Sequence, residues 1–295
     1  MAELQYKMTN DLLFKMIFTQ RQDLLQSLVS ELLGIRAESI KDFTVTNTEI
    51  PPESLTEKLC RLDINMLIDG VRVGLEIQVR DEGDFRDRSL FHWARQYASS
   101  VKRGGGYDEL LRTIQISILG FTLFECDEYH SEFCALEVHR HTLLTDKMAL
   151  HFYELPKLES SYCKENLLEL WLLLFKATTK EEHNQILALG VPAMTDTIET
   201  YNRITTSTDF QELERMREKA ELDYNTAMSH AKKSGIQIGE QRGEQRGIQI
   251  GEQRGIQVGA KQEKLKIAKN LLHRDMSIEA ITQITGLTPE EIQSL

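Results

Sequence analysis

Residues 61–79 read RLDINMLIDGVRVGLEIQV, with Asp69-Gly70 at the centre of two alternating runs. An Asp-Gly pair between such runs is a strong local signal for a two-residue hairpin turn. If Asp69 and Gly70 form the turn, facing residues sum to 139, which pairs Ile68 with Val71, Met66 with Val73, Ile64 with Leu75 and Leu62 with Ile77. All four pairs are apolar. Side chains alternate along a strand, so the opposite face carries Asp63 across from Glu76 and Arg61 across from Gln78. Two carboxylates in direct cross-strand opposition repel by up to roughly 1 kcal/mol. Something must offset them, and a divalent cation held by oxygen ligands is the obvious candidate.

Around this hairpin the chain has 295 residues and 41% hydrophobic content, enough to bury a sizeable core. Its formal net charge of −11 is unevenly spread. From His230 to Arg274 ten Lys/Arg stand against four Glu, a balance of +6 that leaves −17 for the rest. A basic stretch on an acidic body suggests a polyanion-facing segment. The amino terminus lacks a basic-then-apolar leader, and no apolar run is long enough to span a bilayer, so the expectation is a cytoplasmic protein without a membrane span. Cys60, Cys126, Cys134 and Cys163 fit reduced thiols there. Cys126, Cys134, His139 and His141 match no common zinc spacing.

Upstream of the hairpin, Asn10 is placed to cap a helix beginning DLLFKMIF, in which Asp11 and Lys15 stand at the i,i+4 spacing. DLLQSLVSELLG predicts a second helix stopped by Gly34. IKDFTVTNTEI alternates as a strand does, and PPESLTEK reads as a loop. Downstream, DFRDRSLFHWARQYASSVKRG predicts a helix bounded by Gly104 to Gly106, RTIQISILGFTLF a buried strand, and FCALEVHRHT and ALHFYEL further short strands. This order describes an α/β core over residues 1–155. A helical extension over 156–232 follows, with ENLLELWLLLFKAT as a buried helix and a break around Thr205 to Asp209.

Residues 233–260 carry a repeat in which glycine recurs every fourth position from Gly235 to Gly259. Each interior helical glycine costs about 1 kcal/mol relative to alanine, so this stretch is either a flexible linker or a helix that needs a partner. Residues 261–295 predict three short helices, the second capped by Ser277 and stopped by Gly286, the third opened by Thr288-Pro289-Glu290-Glu291. They form a small helix-turn-helix-like tail, a unit that reads DNA in some proteins and not in others.

Glu76-x-Gln78 after a strand carrying Asp63 resembles the PD-(D/E)XK nuclease superfamily, with glutamine where many members have lysine. With NDLLFKMIF, RLDI, LEIQV, FRDRSLFHWARQYASS, GGGYDELLRTIQISIL and the glycine-every-four tail, the chain resembles the Rpn family of recombination-promoting nucleases, also described as transposase-like. The resemblance implies a restriction-endonuclease-like core, a mixed sheet flanked by helices, followed by an all-α carboxy-terminal region. It implies a DNA endonuclease that needs Mg²⁺ or another divalent cation such as Mn²⁺. Asp63 and Glu76 would be metal ligands, and Gln78 would stand in the lysine's place. Asp11 and Lys15 would match the family's amino-terminal acid and base. Arg88 and Tyr97 would match its helical Arg and Tyr, and Tyr107 the tyrosine after the glycines. Glutamine cannot act as a base but can orient water or phosphate by hydrogen bonding. Further DNA-contact candidates are Arg61, Lys232 and Lys233.

Each assignment has a plainer alternative: a solvated hairpin face for Asp63 and Glu76, an acidic helix start for Asp11, and packing for Arg88 and Tyr97, which nine residues apart project to opposite sides of a helix. Three functions stand in parallel: a metal-dependent endonuclease linked to recombination or mobile elements, a catalytically silent DNA-binding or transposition accessory, and an assembly protein. A homo-oligomer formed through the carboxy-terminal region is expected.

Overall fold

A computed structural model describes residues 2–46, 64–81, 83–101, 106–159 and 162–295. The described residues divide into two compact units, Met1–Ala220 and Glu221–Leu295.

The first unit is built on the hairpin. Strands β2 (Ile64–Ile68) and β3 (Val71–Gln78) pair antiparallel with Ile68 on Val71, Met66 on Val73 and Ile64 on Leu75, as the turn predicts. Asp69 (φ 46°) and Gly70 (φ 80°) both take the left-handed conformation that a type I′ turn requires. The Asp69 side chain also fastens the entry to β1 (Phe43–Val45), because its Oδ1 accepts from the backbone N–H of Lys41 at 3.1 Å and of Asp42 at 2.9 Å. The pairs Leu62–Ile77, Asp63–Glu76 and Arg61–Gln78, Cys60, the PPESLTEK loop and Gly104 and Gly105 lie outside the described residues.

Helix α3 (Phe85–Ala98) carries the chain from β3 to β4 (Thr113–Leu119), which runs parallel to β3, and β6 (Met148–Glu154) adds parallel to β4. The order is β1-β2-β3-β4-β6-β5, with β5 (His130–Phe133) antiparallel at the edge. The strand expected at FCALEVHRHT therefore lies earlier, and that stretch contributes only a bridge between Leu136 and Leu143. RTIQISILGFTLF ends as a strand at Leu119, before Gly120.

One sheet face is apolar. Ile64, Met66, Ile68, Val73, Leu75, Ile114, Ile116, Ile118 and Tyr153 pack there with α1 (Asp11–Gln20), α2 (Gln22–Leu33), α4 (Leu167–Lys176) and α6 (Pro192–Thr205). Phe14, Phe18, Trp171 and Phe175 form the aromatic centre of this layer. Burying side chains of this size contributes about 1.5–3 kcal/mol each. The caps form as the sequence predicts: Asn10 Oδ1 accepts from Leu13 N–H at 2.9 Å, and Gly34 closes α2 with φ 64°. Helix α5 (Lys180–Leu187) starts with a Thr179/Glu182 capping box. The opposite face is covered by α3 and holds a smaller core of Phe85, Leu119, Leu150 and Phe152.

After a break at residues 206–207, α7 (Thr208–Leu272) begins in the first unit and ends in the second. The glycine repeat is thus continuous helix rather than linker. The first of the three terminal helices expected in the sequence is the last part of α7, because nothing between Gly259 and Leu272 breaks the helix. It packs with α8 (Ile278–Thr285) and α9 (Pro289–Gln293) through Ala268, Ile281, Leu287 and Ile292. Both expected caps are present: Ser277 before α8 with Gly286 (φ 69°) after it, and the Thr288/Glu291 box before α9. Lys261 Nζ meets Glu291 at 2.7 Å. Among the described residues no helix is long and apolar enough to cross a membrane.

Candidate active site on the polar face of the sheet

Because side chains alternate, Arg72, Gly74, Glu76 and Gln78 of β3 face α3, and register places Thr113, Gln115, Ser117 and Leu119 beside them on β4. TIQISIL is therefore an isoleucine row on one side and a row of Thr, Gln and Ser on the other. All seven residues are buried. Burial on both faces is what makes the segment read as one apolar run, and it hides the polar row.

Glu76 sits near the carboxyl end of β3 and is only 2% exposed, so it is not the solvated face of a hairpin. Arg88 Nη2 lies 3.8 Å from its Oε1. That exceeds a direct hydrogen bond, so the contact acts through charge. The Arg88 guanidinium is itself placed by Asp84 at 3.9 Å, one turn back, and by the Phe85 ring, 4.8 Å to the centroid. Level with Glu76 on β4, the Ser117 hydroxyl is fully buried with no hydrogen-bond partner among the described residues. Gln115 Nε2 is also buried and unpartnered.

A polar layer continues along the same face. Gln96 Nε2 of α3 donates to Asn65 Oδ1 at 2.8 Å and to Gln115 Oε1 at 3.3 Å. A Cβ on Gly74 would stand 2.3 Å from Gln115 Oε1 and 2.6 Å from Gln96 Nε2, so a side chain there would push these two amides out of their present arrangement. Trp93 Nε1 donates to Thr113 O at 2.8 Å. Glu154, at the end of β6 on this face, is fully buried; it accepts from Leu123 and Phe124 N–H and meets Lys157 Nζ at 2.7 Å, which anchors the loop after β4.

The other sequence-derived candidates are dispersed. Gln78 shares the Glu76 face and donates from Nε2 to Arg80 O at 2.9 Å. Tyr97 stacks on Trp93, centroids 5.0 Å apart. Tyr107 is exposed. Asp11 Oδ2 is held at 2.5 Å by Arg217 Nη2 of α7, Asn10 Nδ2 donates to Glu214 Oε1 at 2.7 Å, and Lys15 is buried on α1. Burial pushes the Glu214 carboxyl above its ordinary range. Lys232 and Lys233 are exposed on α7. Asp63 and Arg61 lie outside the described residues. Sequence reasoning missed Ser117, Gln115 and Gln96; period-two counting within TIQISIL would have found the first two.

A divalent ion is compatible with this chemistry. The donors around Glu76 are oxygen, and Mg²⁺ commonly takes one or two protein carboxylates, completing its shell with water and phosphate. The orphaned Ser117 hydroxyl adds an oxygen on the same face. Among the described residues there is no cluster of three or more His, Cys, Asp or Glu able to hold a metal ion.

A mixed sheet flanked by helices, with a buried carboxylate near the carboxyl end of a central strand, defines a PD-(D/E)XK-like α/β core. The chain belongs to the PD-(D/E)XK nuclease family transposases, whose family model matches residues 8–231. The C-terminal HTH domain of the Rpn/YhgA-like nuclease family matches residues 261–295. No curated protein and no solved structure matches the chain significantly.

Proposed function

We propose that the protein is a metal-dependent DNA endonuclease serving recombination or a mobile element inside the cell. The observation that supports this reading most is the burial of Glu76 beside Arg88 on a polar sheet face. Taking a carboxylate out of water is costly, so one buried on a polar sheet face is a candidate for function as well as for structure. Glu76 and Asp63 would hold Mg²⁺, or Mn²⁺ in its place. The bound ion supplies charge neutralisation at the scissile phosphate and a more acidic water. Arg88 orients the Glu76 carboxylate, and Gln78, bearing an amide instead of an amine, orients water or phosphate without taking a proton. Asp11 and Lys15 would support the site, and Arg61 and Tyr97 would face DNA. Residues 1–155 form the nuclease core and 156–232 its helical extension. The 233–260 repeat and the 261–295 tail, with Lys232 and Lys233, supply DNA affinity and association between copies.

Incubating supercoiled plasmid with protein and Mg²⁺ tests this. Nicking that stops with EDTA and is abolished in Glu76→Gln supports the reading. Full nicking by Glu76→Gln at the same metal concentration overturns the site assignment. One observation favours a second reading, a silent DNA-binding accessory: Arg88 already offsets the Glu76 charge without any metal. Gel shifts without cleavage in any divalent ion would establish that role.

A further inference from the structure

The polar sheet face has a second end. Alternation puts Asn65 and Leu67 of β2 on the face that carries Glu76, across from Gly74 and Arg72 of β3. Arg72 is four residues before Glu76, about 13 Å along the strand. Beside it, residues of β2, β3 and α3 line a cavity of about 280 Å³. That is near the lower end of ligand pockets, roughly 300–1,000 Å³, and suits a single ring system.

The lining has two kinds of wall. Leu67 and Leu111 supply hydrocarbon, and among the described residues no acidic side chain lines the cavity. The polar side is a chain of fixed groups. Arg72 Nη1 donates to Ser99 Oγ at 3.3 Å, Ser99 Oγ donates to Gln96 O at 2.8 Å, and Gln96 Nε2 donates to Asn65 Oδ1 at 2.8 Å. On the same guanidinium, Arg72 Nε is buried with no hydrogen-bond partner among the described residues. A buried N–H left unsatisfied is costly, so the cavity suits a ligand that brings an acceptor.

Three ligand chemistries can be compared. A phosphate would meet one cation and press its other oxygens against leucine, losing water without new partners. A wholly apolar group would leave Arg72 Nε unsatisfied. A flat heterocycle answers both walls, with its ring faces on the leucines and its acceptor edge on the guanidinium. Arginine most often reads guanine, through O6 and N7, and bases taken out of the stack are held by apolar contact together with hydrogen bonds to their edges.

We propose that this cavity takes one unstacked base of a DNA strand, guanine in preference, with its O6/N7 edge on Arg72. The proposal rests on the DNA reading above and deepens it. A strand cut at Glu76 is then unstacked nearby, and the substrate is single-stranded or opened there rather than plain duplex.

Fluorescence anisotropy on the full-length protein in EDTA tests this, so cleavage is not a readout. The probes are short thymidine strands with a central guanine, a central adenine or an abasic site. The guanine strand should bind about tenfold tighter than either of the others. Arg72→Gln should remove that difference and leave the abasic strand's affinity unchanged. Leu67→Trp, which fills the cavity with Arg72 intact, should do the same, and circular dichroism checks that each variant is folded. A strand with 6-thioguanine at the centre, irradiated and mapped by mass spectrometry, should link to peptides holding Leu67, Arg72 or Leu111. Equal binding of the guanine strand and either other strand, an undiminished difference in both folded variants, or crosslinks confined to the carboxy-terminal helices overturns the pocket and leaves the DNA reading standing. Failure to bind any of the strands overturns both.

Discussion

Glu76 and Arg88 are a charged pair on the polar face, and their substitutions separate charge from shape. Glu76→Gln keeps the volume and should fold. Arg88→Met removes the guanidinium 3.8 Å from a buried carboxylate, which should be destabilising and lower the thermal midpoint by calorimetry. Glu214 behaves in the opposite sense. Burial raises its folded pKa above the ordinary 4.5, so its folding contribution is favourable at low pH and is lost as pH rises through the folded value. Glu214→Gln keeps the acceptor for Asn10 Nδ2 and should be more stable than wild type at pH 7, with the advantage fading below about pH 4.5; an equal difference at both pH values would refute this. Glu76 was legible in the sequence because Asp-Gly fixes the alternation of β3. Its burial was not, because α3, which covers it, follows in the chain and its placement over the sheet leaves no local pattern. Ser117 was hidden by the isoleucines on either side of it.

At the scale of elements, the caps and the turn were the most legible features, since Asn10, Gly34, Gly70, Ser277 and Thr288 act on their own backbone neighbourhood. β5 was misplaced because it is an edge strand of four residues whose pairing is decided by β6. Its stability has a pH signature. The rings of His130 and His151 stack, with Nε2 and Nδ1 3.1 Å apart, and burial lowers both pKa values below 6.5. Groups depressed in the folded state contribute fully above the unfolded pKa, so β5–β6 pairing should weaken as pH falls below about 6.5. Amide exchange at residues 130–133 should be faster at pH 5.5 than at pH 7.5 after correction for intrinsic rates, and His151→Gln should reduce the difference. Within α7, a side chain at Gly255→Ala or Gly259→Ala meets no neighbour. Each should stabilise the helix by about 0.5–1 kcal/mol, seen as a rise in helicity without change of mass.

Across the whole molecule, acidic and basic regions are segregated, and the basic one lies on exposed helix from residue 230 onward. Ending the chain after Ala231 should weaken DNA binding and flatten its salt dependence by about 0.9 in log–log slope for each phosphate no longer neutralised. Metal-dependent nicking by the remaining core should be slower but present. Gel shifts at several salt concentrations on both proteins check this, and an unchanged slope would show that the tail neutralises no phosphates. The glycine repeat also sets where the chain is cut first. Seven glycines, each costing about 1 kcal/mol relative to alanine, stand in a stretch of α7 whose residues 221–264 are all exposed, so this stretch opens more readily than the packed core and limited proteolysis should cleave it before any strand of the sheet.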